Sequence, residues 1–226
     1  MRDGFDRPGS ESRVRLFPLP GVVLFPHAVL PLHIFEPRYR QMITHALADD
    51  HLIAMVRLRE PLECLDEGQS AIEEVACLGR IIRHEPLPDG RFNLLLLGLK
   101  RVRLVRELPA STLYRQAEVK VLEDNEPSAN VEPMRTELIE RFVALAADQG
   151  IHESGLCQML SPDLPLGPLT DLIAHAMAGL PSVVKQKLLD EPRADRRLDL
   201  LNSHLRELVG FSPRGRRSYP PPVSRN

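Results

Sequence analysis

A chain of 226 residues with 43% hydrophobic side chains can form one large domain or two small ones around an ordinary buried core. Its formal charge of −2 provides no global field for nucleic acid, and 4% aromatic residues without tryptophan leave scarcely any base-stacking platform. The polar start MRDGFDRPGSESR is no secretory leader and no run of about 18 apolar residues could span a membrane, so a soluble, cytoplasmic protein is expected.

Residues 1–12 are polar and are expected to form a disordered tail. Residues 16–40 then read LFPLPGVVLFPHAVLPLHIFEPRYR. Pro18, Pro20, Pro26 and Pro31 fix φ and withhold backbone donors, so this run must be short extended pieces at a sheet edge or bend. A helix can begin only at Pro37, a residue favoured at the first helical position. Arg38 to Ala48 then puts Tyr39, Met42, Ile43, Ala46 and Leu47 on one face.

Leu52 to Leu58, Ala71 to His84, Arg91 to Leu97, Arg101 to Leu108 and Tyr114 to Leu122 are rich in Val, Ile and Leu and read as strands. Pro88-Asp89-Gly90 presets φ, tolerates a turn and accepts positive φ, so it should close a hairpin. Val102, Leu104, Val119 and Val121 alternate with charged residues as half-buried strands do. Leu94 to Leu97 is apolar on both faces and should be central. Residues 13–124 are therefore expected to form a curled, barrel-like sheet. Gly98 would serve backbone geometry at a strand junction, and Lys100, Arg101, Arg103 and Arg106 would line a solvated face.

Glu123 to Asn130 is polar and reads as a linker into a helical part, residues 125–210. Met134, Leu138, Ile139, Phe142 and Leu145 trace one apolar stripe, and Leu169, Leu172, Ile173, Ala176 and Met177 a second that stops at Gly179 and Pro181. Ser182 can cap the next helix, with Val183, Val184, Leu188 and Leu189 facing inward. A last helix from about Ala194 carries Leu198, Leu201, Leu205 and Leu208. Residues 211–226 are basic and proline-rich and are expected to be disordered.

GxxxxGK[ST], GxSxG and HExxH are absent, so no phosphate cradle, nucleophile elbow or zinc helix is expected. Ser182 and Lys185 have S-x-x-K spacing, but without its companion motifs they read as a helix cap and a solvated lysine. The eight histidines never fall at i and i+3 or i+4, and Cys64, Cys77 and Cys157 are too widely spaced for metal ligands or a disulfide framework. Asp49-Asp50 and Glu73-Glu74 read as surface charge. No catalytic residue, metal or cofactor is expected.

PLHIFEPRYR resembles the start of the Lon N-terminal domain family, the substrate-recognition module ahead of the ATPase in Lon proteases. Leu78-Gly79-Arg80-Ile81, Leu87-Pro88-Asp89-Gly90 and the stretch from Leu96 to Leu104 are similar to the family's central strands, turn and strand junction. Asp171 to His175 and Ser182 to Leu208 are similar to its C-terminal helices, so the likeness covers about residues 13 to 210. PLHIFEPRYR is most similar to the version in stand-alone members, and His27 sits where many relatives carry glycine.

The resemblance implies an α+β protein, a PUA-like β-barrel followed by a C-terminal helical bundle, that binds unfolded or exposed polypeptide segments. It implies no ATPase or protease site in this chain, so a protease or ATPase would act in trans. The expected binding residues are Val22, Val23, Leu24, Phe25, Phe35, Glu36, Arg38, Tyr39 and Arg40. Val22 to Phe25 either fills the barrel mouth or forms an exposed apolar patch. Around Glu36, either Tyr39 packs on the sheet with the charges solvating the helix, or these residues form an interface rim. The alternative function is RNA binding through the PUA-like barrel, which the charge and the few aromatics disfavour.

Overall fold

The computed structural model describes residues 12–59, 71–125, 130–148 and 163–210, and the expected terminal tails lie outside them except for Ser12. Six strands form one sheet: β1 (Ser12–Leu19), β2 (Val29–Ile34), β3 (Leu52–Arg57), β4 (Val75–Pro86), β5 (Phe92–Glu107) and β6 (Gln116–Leu122). Their order is β2-β5-β4-β3-β1-β6, and β5 also pairs with β6. Five strands thereby close into a barrel, with β2 added along the first half of β5. Every pairing is antiparallel except β1 with β3.

One strand does the work expected of two. Arg91 to Leu97 and Arg101 to Leu108 merge, apart from their outermost residues Arg91 and Leu108, into the single 16-residue β5, which runs through Gly98. The register against β4 shifts there, from Gly79 opposite Gly98 to Leu78 opposite Lys100. Such an extra residue bends a strand, which lets the first half of β5 serve β2 and the second half serve β6. Gly98 is required by close approach: a Cβ on it would lie 2.0 Å from the Phe25 carbonyl oxygen. Its own carbonyl accepts from the His27 amide and its amide donates to Ala28, so the loop before β2 is stitched to this bend.

Alternation along the strands sorts side chains into two cores. Leu16, Ala54, Ala76, Leu78, Val102 and Val119 fill the barrel interior. Their neighbours Phe17, Ile53, Met55, Val75 and Cys77 face outward into a larger core shared with the helices. That core takes Met42 and Ile43 from α1 (Pro37–Leu47), Leu138 and Phe142 from α2 (Glu132–Asp148), and Leu169 and Ile173 from α3 (Leu166–Ala176). Leu188 and Leu189 of α4 (Ser182–Asp190) and Leu198, Leu201 and Leu205 of α5 (Ala194–Gly210) complete it. Each fully buried aliphatic side chain contributes about 1.5–3 kcal/mol, so the helices are held on the barrel by its outer wall.

Several expectations change at this wall. Arg101 is not solvated: it is 2% exposed and paired with Asp171 of α3. Asp124, expected in an unpacked linker, bonds both Arg101 and Arg197. Asp49 and Glu74 are exposed, as expected of surface charge, with Asp49 and the half-buried Asp50 held by Arg15 and the half-buried Glu73 bonded by the buried Arg57. Leu94 and Leu96 are buried whereas Leu95 and Leu97 are half-covered, so this stretch is central in its pairing but not dry on both faces. Pro181, not Ser182, occupies the cap position of α4, and Val183 and Leu208, expected to face inward, are exposed.

Candidate functional site

The proline-rich run of residues 16–40 folds as β1, a pinned loop, β2 and α1, and it buries most of the apolar residues expected to bind. Val23, Leu24 and Phe25 are 7%, 1% and 0% exposed, packed in the core that lies outside the barrel. They form neither a plug in the barrel mouth nor a surface patch, because the bonds of His27 and Ala28 to Gly98 draw this loop against the wall. Val22 is half-buried beside them.

Tyr39 is structural as well. Its ring meets Phe17 edge-on at 4.4 Å, and its buried hydroxyl donates to the Pro18 carbonyl at 2.9 Å. Burial pushes its phenol pKa up, with Arg38 opposing. The Arg38 guanidinium lies 4.5 Å from the Tyr39 ring centroid and pairs with Glu36 at 2.8 Å. Arg40 is half-buried under the β4–β5 turn, where a Cβ on Gly90 would fall 2.0 Å from its Nη2. Gly90 also has φ +78, so glycine is needed there on two counts.

Of the nine expected residues, Phe35 is the one large apolar side chain presented to solvent, at 61% exposure. It stacks on His33, whose Nδ1 meets Asn93 at 2.7 Å. Both lie at the end of a three-stranded face formed by β2, the first half of β5 and β4. Across these strands Val29 stands beside Leu97 and Arg80, Pro31 beside Leu95 and Arg83, and His33 beside Asn93 and Glu85. Val29, Pro31 and Arg83 are exposed and Leu95 and Leu97 half-buried. An irregularity between Ile81 and Arg83 leaves Ile82 exposed at 50%.

An open groove of about 430 Å³ follows this face, lined by Pro31, His33, Arg83, Asn93 and Leu95 among others. Leu95, Leu97, Val29, Ile82 and Arg83 were not singled out from sequence. Their signal was the strict alternation of β2 and the extra residue in Ile81-Ile82-Arg83, which together set one row of side chains toward water.

The groove itself presents Pro31, Leu32, Leu94 and Leu95 with His33, Arg83, His84, Glu85 and Asn93. Among the described residues no three His, Cys, Asp or Glu side chains are grouped to hold a metal ion. Lys185, expected to be solvated, is half-buried and donates to the carbonyl of His175 at 3.0 Å. Burial, the larger cause, and then Lys185 hold the His175 pKa below its ordinary value, and burial likewise lowers that of Lys185. Cys77 is sealed and its thiol pKa is pushed up by burial; Cys64, Cys157 and His152 lie outside the described residues. No described helix is long and apolar enough to cross a membrane.

Residues 13–207 match the family model described as the substrate-binding domain of the ATP-dependent protease La (LON). Among curated proteins, the chain is 30% identical over 210 residues to Lon protease 2 of Myxococcus xanthus, covering 87% of this chain and 24% of that protein. It is 29% identical over 196 residues to the Lon protease of Koribacter versatilis, covering 84% of this chain and 23% of that protein. The chain thus spans about a quarter of the length of these relatives. Among solved structures, the N-terminal domain of the Mycobacterium avium complex Lon protease superposes with a TM-score of 0.71 at 14% identity, covering 87% of this chain and 99% of that one. The Lon N-terminal domain protein from Xanthomonas campestris gives 0.60 at 21% identity, covering 89% and 99%.

Proposed function

The chain belongs to the substrate-binding domain family of the Lon protease, and on that premise we propose that it is a non-catalytic module that captures unfolded or exposed polypeptide segments. The observation that carries this reading is the open face of β2, β5 and β4. It offers half-covered and exposed apolar side chains from three adjacent strands, with Phe35 at its end. Apolar segments of an unfolded chain would lie along Leu95 and Leu97, with Phe35 as the aromatic anchor that interfaces favour. Glu36, Arg38 and Arg40 form the rim beside it. Val22 to Phe25 and Tyr39 support the face from behind instead of touching the ligand. We propose that hydrolysis of a captured segment falls to a protease and ATPase outside the domain of residues 13–207, and the cytoplasm is the compartment in which we place this work.

Fluorescence anisotropy with a labelled, permanently unfolded polypeptide tests the reading. The full chain should bind it, and Leu95→Asp with Phe35→Ser should weaken binding about tenfold or more while leaving the thermal melt near wild type, since both side chains reach solvent. Absence of binding to any unfolded chain would reject the proposal. Incubation with casein and ATP should leave the casein intact, and cleavage would reject the non-catalytic part.

A further inference from the structure

We propose that the outer edge of β4, from Ile82 to Pro86, docks the same edge of a second copy of this chain, antiparallel, about a two-fold axis beside His84. The backbone sets the place. β3 begins at Leu52, opposite Arg80, and the Ile81 amide makes the last bond on that side, to the His51 carbonyl. Beyond it β4 runs on from Ile82 to Pro86, every residue exposed, and among the described residues this stretch pairs with β5 alone. Where the hairpin closes, the Leu87 amide donates to the Arg91 carbonyl. Alternation from Leu87 turns the backbone groups of Glu85 and Arg83 toward β5 and those of His84 away from it. A donor and an acceptor left open on a strand edge are a template for another strand.

The side chains favour the same strand from a second copy. Identical antiparallel strands centred on His84 set Arg83 of each copy opposite Glu85 of the other. Both residues are exposed, and neither forms an ion pair among the described residues. With the two His84 residues as the hydrogen-bonded pair, the flanking Arg83 and Glu85 pairs are of the kind whose side chains lie closest. Ile82, 50% exposed, then meets Pro86 of the other copy, and the missing donor of that proline ends the ladder. Charges guard a strand edge where like signs would face each other; an arginine and a glutamate placed symmetrically about one residue complement each other instead. At the other free edge, on β2, Pro31 withholds a donor from the middle of the strand. Such a contact uses the same patch on both copies and closes at two.

Sedimentation velocity of the full chain from about 10 µM to about 1 mM should show a monomer–dimer equilibrium, weak because so short a strand pair buries little area. Arg83→Glu and Glu85→Arg should each weaken dimerisation about tenfold or more, since each sets like charges face to face on both sides of His84. Mixing these two variants should produce a heterodimer, and the double variant Arg83→Glu with Glu85→Arg should self-associate as wild type does. Both positions are exposed, so thermal melts should stay near wild type. A wild-type chain that remains monomeric throughout would overturn the proposal, as would single variants that dimerise like wild type and gain nothing on mixing. Protection of the His84 amide from hydrogen exchange only when an unfolded polypeptide is added would give this edge to a client strand and overturn it too. The dimer is independent of the polypeptide reading, and a chain that dimerises this way without binding unfolded polypeptide would uphold the one and reject the other.

Discussion

Arg101 of β5 and Asp171 of α3, 70 residues apart in sequence, face each other through two hydrogen bonds with 2% and 1% of their side chains exposed. Burial works against the Arg101 charge, yet Asp171 and Asp124 outweigh it and hold its pKa above the ordinary value. Arg197 of α5 approaches the same Asp171 and bonds Asp124, so barrel, linker and two helices meet at one neutral cluster. Breaking a buried pair leaves a charge without compensation. Arg101→Met should therefore cost about 3–5 kcal/mol in urea unfolding, and Arg101→Met with Asp171→Leu should recover much of it. A single variant within about 1 kcal/mol of wild type would show that the pair is dispensable.

Gly98 tests the bend in β5. Its missing Cβ leaves room for the Phe25 carbonyl, which a methyl would meet at 2.0 Å. Gly98→Ala should destabilise by about 1–3 kcal/mol or more through overpacking against backbone that cannot rotate away. Gly179→Ala, where nothing lies within 4 Å, should stay within about 0.5 kcal/mol. Equal midpoints for the two variants would contradict the close approach.

His27 holds φ at 66°, the left-handed region where a side chain is strained. Its ring is exposed and its amide is the donor to Gly98. His27→Gly should fold at least as stably, the released strain offsetting glycine's greater freedom when unfolded. His27→Val should be less stable than His27→Gly by about 1–2 kcal/mol. Thermal melts of the pair would refute this if valine were the better residue.

His175 makes stability depend on acid. Its pKa in the folded chain lies below the ordinary 6.5, through burial first and Lys185 second, with the Val29 carbonyl opposing. The unfolded chain thus takes up a proton at pH values where the folded chain resists it. This contribution is fully present above pH 6.5 and is lost as pH falls through the window below it. Lys185→Met removes the like charge and should move the His175 titration midpoint upward, seen by its ring-proton chemical shift. A midpoint that stays or falls would remove Lys185 from the account.

The elements were largely legible because their physics is local. Pro37 starts α1 and the Pro88-Asp89-Gly90 turn closes the β4–β5 hairpin, as proline's fixed φ and glycine's positive φ require. The apolar stripe of Leu198, Leu201 and Leu205 is buried as its spacing demands. The candidate site was less legible. Val23, Leu24 and Phe25 are as apolar as a binding patch, and nothing in their order says that Gly98, more than seventy positions on, pins them inward. Arg101 looks like its solvated neighbours on β5 until α3 places Asp171 over it. Leu94 to Leu97 reads as doubly buried, yet one of its faces is the groove.

The sequence by itself determined the turns, the helices and most of the strands, since these depend on backbone preferences and on side-chain periods a few residues long, while the family was reached through the resemblance of motifs such as PLHIFEPRYR. Only the tertiary structure decided which apolar residues are core and which are surface. That choice depends on what packs against each face, and the partners of Phe25, Arg101 and Leu95 come from distant segments that meet only when the barrel closes.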